Sequence, residues 1–163
     1  MEDELQVVAR HFDALLGLRF VSASPDRVVV EWTVDERHRQ PWGIVHGGVH
    51  CSAIETVCSY GAVLAARQRS SDVTAVGLEN HTSFIRGVRE GTLKVVGTPI
   101  TRGRRTQVWE AEVTDEAGRV VATGRVRLLV VPANGNAADL TGALPDPVPG
   151  ASSDRAGSRE GER

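Results

Sequence analysis

His46-Gly47-Gly48-Val49-His50-Cys51-Ser52-Ala53-Ile54-Glu55-Thr56-Val57-Cys58-Ser59-Tyr60-Gly61-Ala62-Val63-Leu64-Ala65-Ala66-Arg67 is the stretch that decides how this chain folds. It contains no proline, and Val49, Ala53, Ile54, Val57, Ala62, Val63 and Leu64 would fall on most sides of a helix. A helix is therefore predicted from about 46 to 67, wrapped by other structure rather than lying on a surface. Its small residues Gly61, Ala62, Ala65 and Ala66 permit close approach.

Before it, Leu5, Val8, Ala9, Phe12, Leu15 and Leu16 keep the spacing of one helix face, with Gly17 as a stop. Arg19 to Ala23 and Arg27 to Val34 read as two strands joined by Ser24-Pro25-Asp26, the second alternating to leave one wetter face. After it come four strand-like runs, near 74–85, 91–101, 105–115 and 119–131, separated by glycine-containing turns. This order predicts the α+β class, with one antiparallel sheet covering a buried helix. One domain is expected over 1–132, followed by a disordered C-terminal tail over 133–163, where large apolar groups almost vanish.

A net charge of −2 and a sequence pI near 6.2 give no broad cationic field, so neither nucleic acid nor an anionic membrane is an expected partner. No apolar run is expected to reach the roughly 18 residues of a bilayer span, and Met1-Glu2-Asp3-Glu4 is acidic where a signal peptide is basic. A cytoplasmic location is the expectation. Cys51 and Cys58 would lie about 10.5 Å apart along one helix, too far to pair, and read as small core residues.

Glu55 is the anomaly, because an ionised carboxylate on an apolar helix needs a partner or a task. Water or an arginine would be the ordinary partner. Against that reading, His46-Gly47-Gly48 at the helix entrance exposes backbone N–H groups at the positive end of the dipole, suited to an oxyanion. Ser59, one turn after Glu55, either orients a water beside the carboxylate or bonds back to the Glu55 carbonyl. A metal held by His46, His50 and Glu55 is weighed and set aside, because Gly47-Gly48 puts His46 before the helix. No metal or cofactor is expected.

Gln40-Pro41-Trp42-Gly43-Ile44-Val45-His46-Gly47-Gly48, followed by Glu55 and Ser59, resembles the hotdog-fold thioesterases of the PaaI-like and 4-hydroxybenzoyl-CoA type, over about residues 5 to 131. Val76-Gly77-Leu78-Glu79, Arg86-Gly87-Val88-Arg89-Glu90-Gly91 and Gln107-Val108-Trp109 are similar to the branch that includes 1,4-dihydroxy-2-naphthoyl-CoA thioesterases. The resemblance implies a sheet wrapped round one helix, an acyl-CoA substrate, and a homodimer or homotetramer with sites at subunit interfaces. It also implies Glu55 as nucleophile or general base, the Gly47 N–H and Gln40 amide as carbonyl donors, Ser59 as a water-positioning group and His46 as support. Gly48 belongs to the same entrance.

Coenzyme A carries phosphates, and Arg86 and Arg89 at one strand end, with Gly103, Arg104 and Arg105 beside Arg102 in a turn, form the expected cationic cluster. Phe84 stands where the naphthoyl-CoA branch resembled here has a histidine near the acyl group, with His81 three residues earlier; Phe84 is expected either to line an apolar acyl tunnel or, as an alternating strand residue, to belong to the core. A non-catalytic acyl-CoA binding or sensor protein is the alternative, and a hotdog dehydratase a third; retention of Glu55, Gln40 and Ser59 favours the hydrolase.

Overall fold

A computed structural model describes residues 11–133. In chain order these form α1 (Phe12–Leu15), β1 (Arg19–Ala23), β2 (Val28–Thr33), a 3-10 turn (Glu36–His38), α2 (Gly47–Arg67), β3 (Val73–Phe84), β4 (Thr92–Arg102), β5 (Thr106–Thr114) and β6 (Val120–Pro132). The strands make one antiparallel sheet in the order β1-β2-β4-β5-β6-β3. The α+β class and the single long helix inside the sheet match the expectation. Most of the helix expected over 5–16 lies outside the described residues, as does the tail after Ala133.

α2 is held because its apolar residues meet facing rows from β2, β4, β5 and β6. Ala53, Ile54, Val57, Cys58 and Ala62 pack with Val28, Val30 and Trp32 of β2, Leu93 and Val95 of β4, Trp109 and Val113 of β5, and Val126 and Leu128 of β6. Gly61 lets the helix backbone settle on the Trp109 ring, which a Cβ would overlap. The indole Nε1 donates to Gln107 Oε1 (2.9 Å), and Gln107 Nε2 donates to the Ala62 carbonyl (3.0 Å), so this buried polar pair is satisfied.

By length and composition α2 also passes for a membrane span, contrary to the expectation that no segment would; its packing under the sheet makes it the core helix. Cys58 is wholly buried, with its thiol pushed far up by desolvation, but Cys51 is only half-buried and is not the core residue expected. β2 is less one-sided than its alternation suggested, since Val29 is buried with Val28 and Val30.

One irregularity positions the site. β3 pairs with β6 along its length, but the register slips between Gly77 and Glu79, leaving Leu78 as an extra residue. In a regular strand residues 77 and 80 face opposite sides; the bulge restores both to the helix side. Thus Gly77, Asn80, Thr82 and Phe84 face α2, while Glu79, His81 and Ser83 line the outer face with Glu110, Arg125 and Arg127.

Candidate active site

The approach to α2 is fixed by buried histidine chemistry. His38 Nδ1 accepts from the Asp35 N–H (2.9 Å), and its Nε2 lies 2.9 Å from the Leu16 carbonyl, so one imidazole ties the 3-10 turn to the end of α1. The His38 carbonyl then accepts from the His46 N–H at 2.7 Å. In the tight turn that follows Gln40, Trp42 N–H donates to Gln40 Oε1 (2.9 Å) and Gly43 takes a positive φ of 82°. Because Oε1 is engaged, the Gln40 NH2 is the end left to donate outward.

His46 is the N-cap of α2, its Nδ1 accepting from the Gly48 N–H at 2.9 Å. The Gly48 amide is thereby used, and among the described residues nothing accepts from the Gly47 N–H. It stands as a free donor at the helix entrance, where the dipole favours developing negative charge. The Phe84 ring lies over Gly47 so closely that a Cβ would fall 2.7 Å from Cζ, and Phe84 is 59% exposed. An apolar wall therefore borders the donor.

His50, one turn on, is 3% exposed, with ring centroids 6.2 Å from both Trp32 and Phe84 and no partner for Nδ1. Burial pushes its pKa from 6.5 down to about 4. The unfolded chain then takes up the proton first on acidification, so the contribution to stability is complete above the unfolded value and is lost as pH falls towards the folded one. Between pH 6.5 and 4 the loss is roughly 3 kcal/mol at most. His50→Leu is expected to flatten the fall in melting temperature over that interval; an unchanged slope would remove His50 as its source.

Five residues further, Glu55 is held through both oxygens. Ser59 Oγ donates to Oε1 (3.0 Å) and Asn80 Nδ2 donates to Oε2 (3.0 Å). Ser59 thus bonds to the carboxylate itself, not to the Glu55 backbone carbonyl. Gly77 gives the carboxylate its room, since a Cβ there would overlap Oε1. Each oxygen keeps a further lone pair, so the group remains able to accept a proton.

Beside it lies a cleft of about 290 Å³ lined by Asp13, Glu55, Thr56, Ser59, Tyr60 and Val63. Asp13 accepts from Thr56 Oγ1 at 2.8 Å, yet burial outweighs that bond and raises its carboxyl pKa. Asp13 and Asn80 were not found by sequence reasoning. The signal for Asn80 was Gly77, because a glycine inside a strand marks a bulge or a close approach.

The remaining sequence candidates divide. Phe84 joins the entrance. His81 does not join Glu55: strand alternation turns it to the outer face, within a concavity of about 1050 Å³ remote from the carboxylate. Nor do the arginines form one cluster within the chain. Arg86 N–H bonds to Val121 O at the start of β6, whereas Arg105 O accepts from Val130 N near its end, roughly 30 Å away along the strand. Arg89 is committed to the entrance loop, its Nη1 donating to Trp42 O (3.1 Å) and its own carbonyl accepting from Arg39. Arg102 pairs with Asp26 at 2.7 Å. Among the described residues the side chains of Arg86, Arg104 and Arg105 have no such partners and are exposed, with Gly103 packed on the Thr106 backbone beside them.

Comparison with known proteins finds a match to the Thioesterase superfamily model over residues 43–122. The 1,4-dihydroxy-2-naphthoyl-CoA hydrolase of Escherichia coli K12 is 32% identical over 116 residues, 71% of this chain and 83% of the relative. The solved structure of AziG from S. sahachiroi is 39% identical with a TM-score of 0.71, covering 76% of this chain and 98% of that one. Thioesterase HI1161 from Haemophilus influenzae is 29% identical with a TM-score of 0.76, covering 83% and 92%.

Proposed function

The chain belongs to the thioesterase superfamily, and from that premise we propose that it hydrolyses an acyl-coenzyme A thioester with Glu55 as general base. The observation that carries this reading is the carboxylate held at both oxygens by neutral donors, Ser59 and Asn80, beside an open cleft. Glu55 takes a proton from a water, and the hydroxide oxygen bonds to the thioester carbon. The carbonyl electrons move onto oxygen, which accepts from the Gly47 N–H and the Gln40 NH2. Collapse breaks the C–S bond, and the departing coenzyme A thiolate recovers the proton. Water and acyl-CoA become free acid and thiol.

The two halves of this machinery stand about two turns apart on one helix. Gly47 and Glu55 are eight residues apart on α2, about 12 Å along the axis. A second copy would complete the site by presenting its Gly47 and Gln40 to this chain's Glu55. β3 is a twelve-residue edge strand, and an edge that long is normally covered. Antiparallel pairing of two β3 strands about a two-fold axis sets Arg86 of one subunit near the β4–β5 turn of the other. The distant arginine groups then face one anionic ligand from both sides. Phe84 lines the acyl end.

The test is thiol release by the purified protein from acyl-CoAs of graded aliphatic length and from aromatic ones. Turnover is expected for apolar acyl groups. Saturable binding with no release from any of them would replace the hydrolase with an acyl-CoA binding protein. Label from heavy-oxygen water appearing in Glu55 after a single turnover would instead make the carboxylate a nucleophile.

A further inference from the structure

Asn80 touches Glu55 in a way that the proposed reaction does not by itself require. Its Nδ2 donates to Glu55 Oε2 (3.0 Å) and to the Cys51 carbonyl (3.1 Å), so both amide hydrogens point at α2. An asparagine side chain has a donating and an accepting end of nearly the same shape, and only one of them suits a carboxylate. Thr82 makes the choice, because its Oγ1 donates to Asn80 Oδ1 at 2.7 Å. With the oxygen end occupied by a hydroxyl proton, the NH2 end is turned to Glu55. The bulge at Leu78 is what brings this pair onto the helix side of β3.

We propose that Asn80, oriented by Thr82, is a positioning residue that holds the Glu55 carboxylate in its working plane. Ser59 alone fixes one oxygen of a side chain with three rotatable torsions, leaving the other oxygen to swing. Asn80 anchors the second oxygen, and the Cys51 carbonyl anchors Asn80 in turn. Thr82, Asn80 and Glu55 therefore form a hydrogen-bond chain running from strand to helix, in which two neutral side chains set the position of one carboxylate. This rests on the reading of Glu55 as the base.

Asn80→Leu keeps the approximate volume and removes both donors; Thr82→Val keeps the shape and frees the amide to flip. Asn80→Leu is expected to lower kcat by about 10- to 100-fold, the scale of a roughly 1 Å misplacement, with KM changed less than about twofold. Thr82→Val is expected to lower kcat less, and to have no further effect in the Asn80→Leu background, since it acts only through Asn80. A plain strand-to-helix staple would instead lower the melting temperature in both single variants and leave kcat per folded molecule unchanged, which would overturn the proposal. A readout independent of turnover is the Asn80 side-chain amide resonance of the full chain. Glu55→Ala and Thr82→Val are each expected to shift it, and an unmoved resonance in Glu55→Ala overturns the positioning role. Absence of turnover in the unaltered protein would sink the hydrolase reading alone, while these resonances still decide whether Thr82 and Asn80 hold Glu55.

Discussion

Glu55→Ala is expected to lower thiol release by about 10²- to 10⁴-fold, the contribution of a positioned general base, while leaving the melting temperature nearly unchanged. The fold survives because Glu55 is not among the buried apolar residues that seat α2; Ala53, Ile54, Val57 and Cys58 do that. Ser59 and Asn80 each lose an acceptor, but both border open space where water replaces it. Glu55→Gln is expected to be nearly as inactive, since its amide cannot take the proton, although it can still meet both neighbours, its oxygen accepting from Asn80 and its NH2 donating to the Ser59 hydroxyl oxygen. Unchanged turnover in Glu55→Ala would remove this mechanism outright.

That carboxylate was legible in the sequence because it violates the pattern around it. The strands were legible for the opposite reason: β5 buries Gln107, Trp109, Ala111 and Val113 and exposes Glu110 and Glu112, a strict alternation whose limits fall within a residue or two of the prediction. β3 is where alternation misleads. Read without the extra residue at Leu78, residues 77 and 80 take opposite faces, and Asn80 loses its connection to Glu55. The bulge depends on pairing with β6, a contact between distant segments that local periodicity does not encode. The arginines do not gather within one chain for a related reason, since turns that look alike in sequence lie at opposite ends of β6. His50 was considered only as a metal ligand, and its burial beside Trp32 and Phe84 needed the sheet to be in place. Among the described residues no three His, Cys, Asp or Glu side chains converge.

Mixing two inactive variants gives the other large effect. Glu55→Ala and Gln40→Ala, each nearly inactive alone, are expected on unfolding and refolding together to recover about one quarter of the activity of the unaltered protein. The figure follows from where each residue acts. If a site takes Glu55 from one subunit and Gln40 with the Gly47 N–H from the other, a mixed dimer has one site lacking both residues and one lacking neither. About half of the dimers formed from equal amounts are mixed, and half of their sites are intact. Gln40 suits this test because it lies in the entrance loop, outside the core, and its loss leaves the His46 cap and the His38 ties in place. Were the site contained in one chain, every mixed dimer would carry only damaged sites, and activity would stay at the level of the separate variants. The expected recovery thus turns the separation of Gly47 and Glu55, eight residues apart along α2, into an observable.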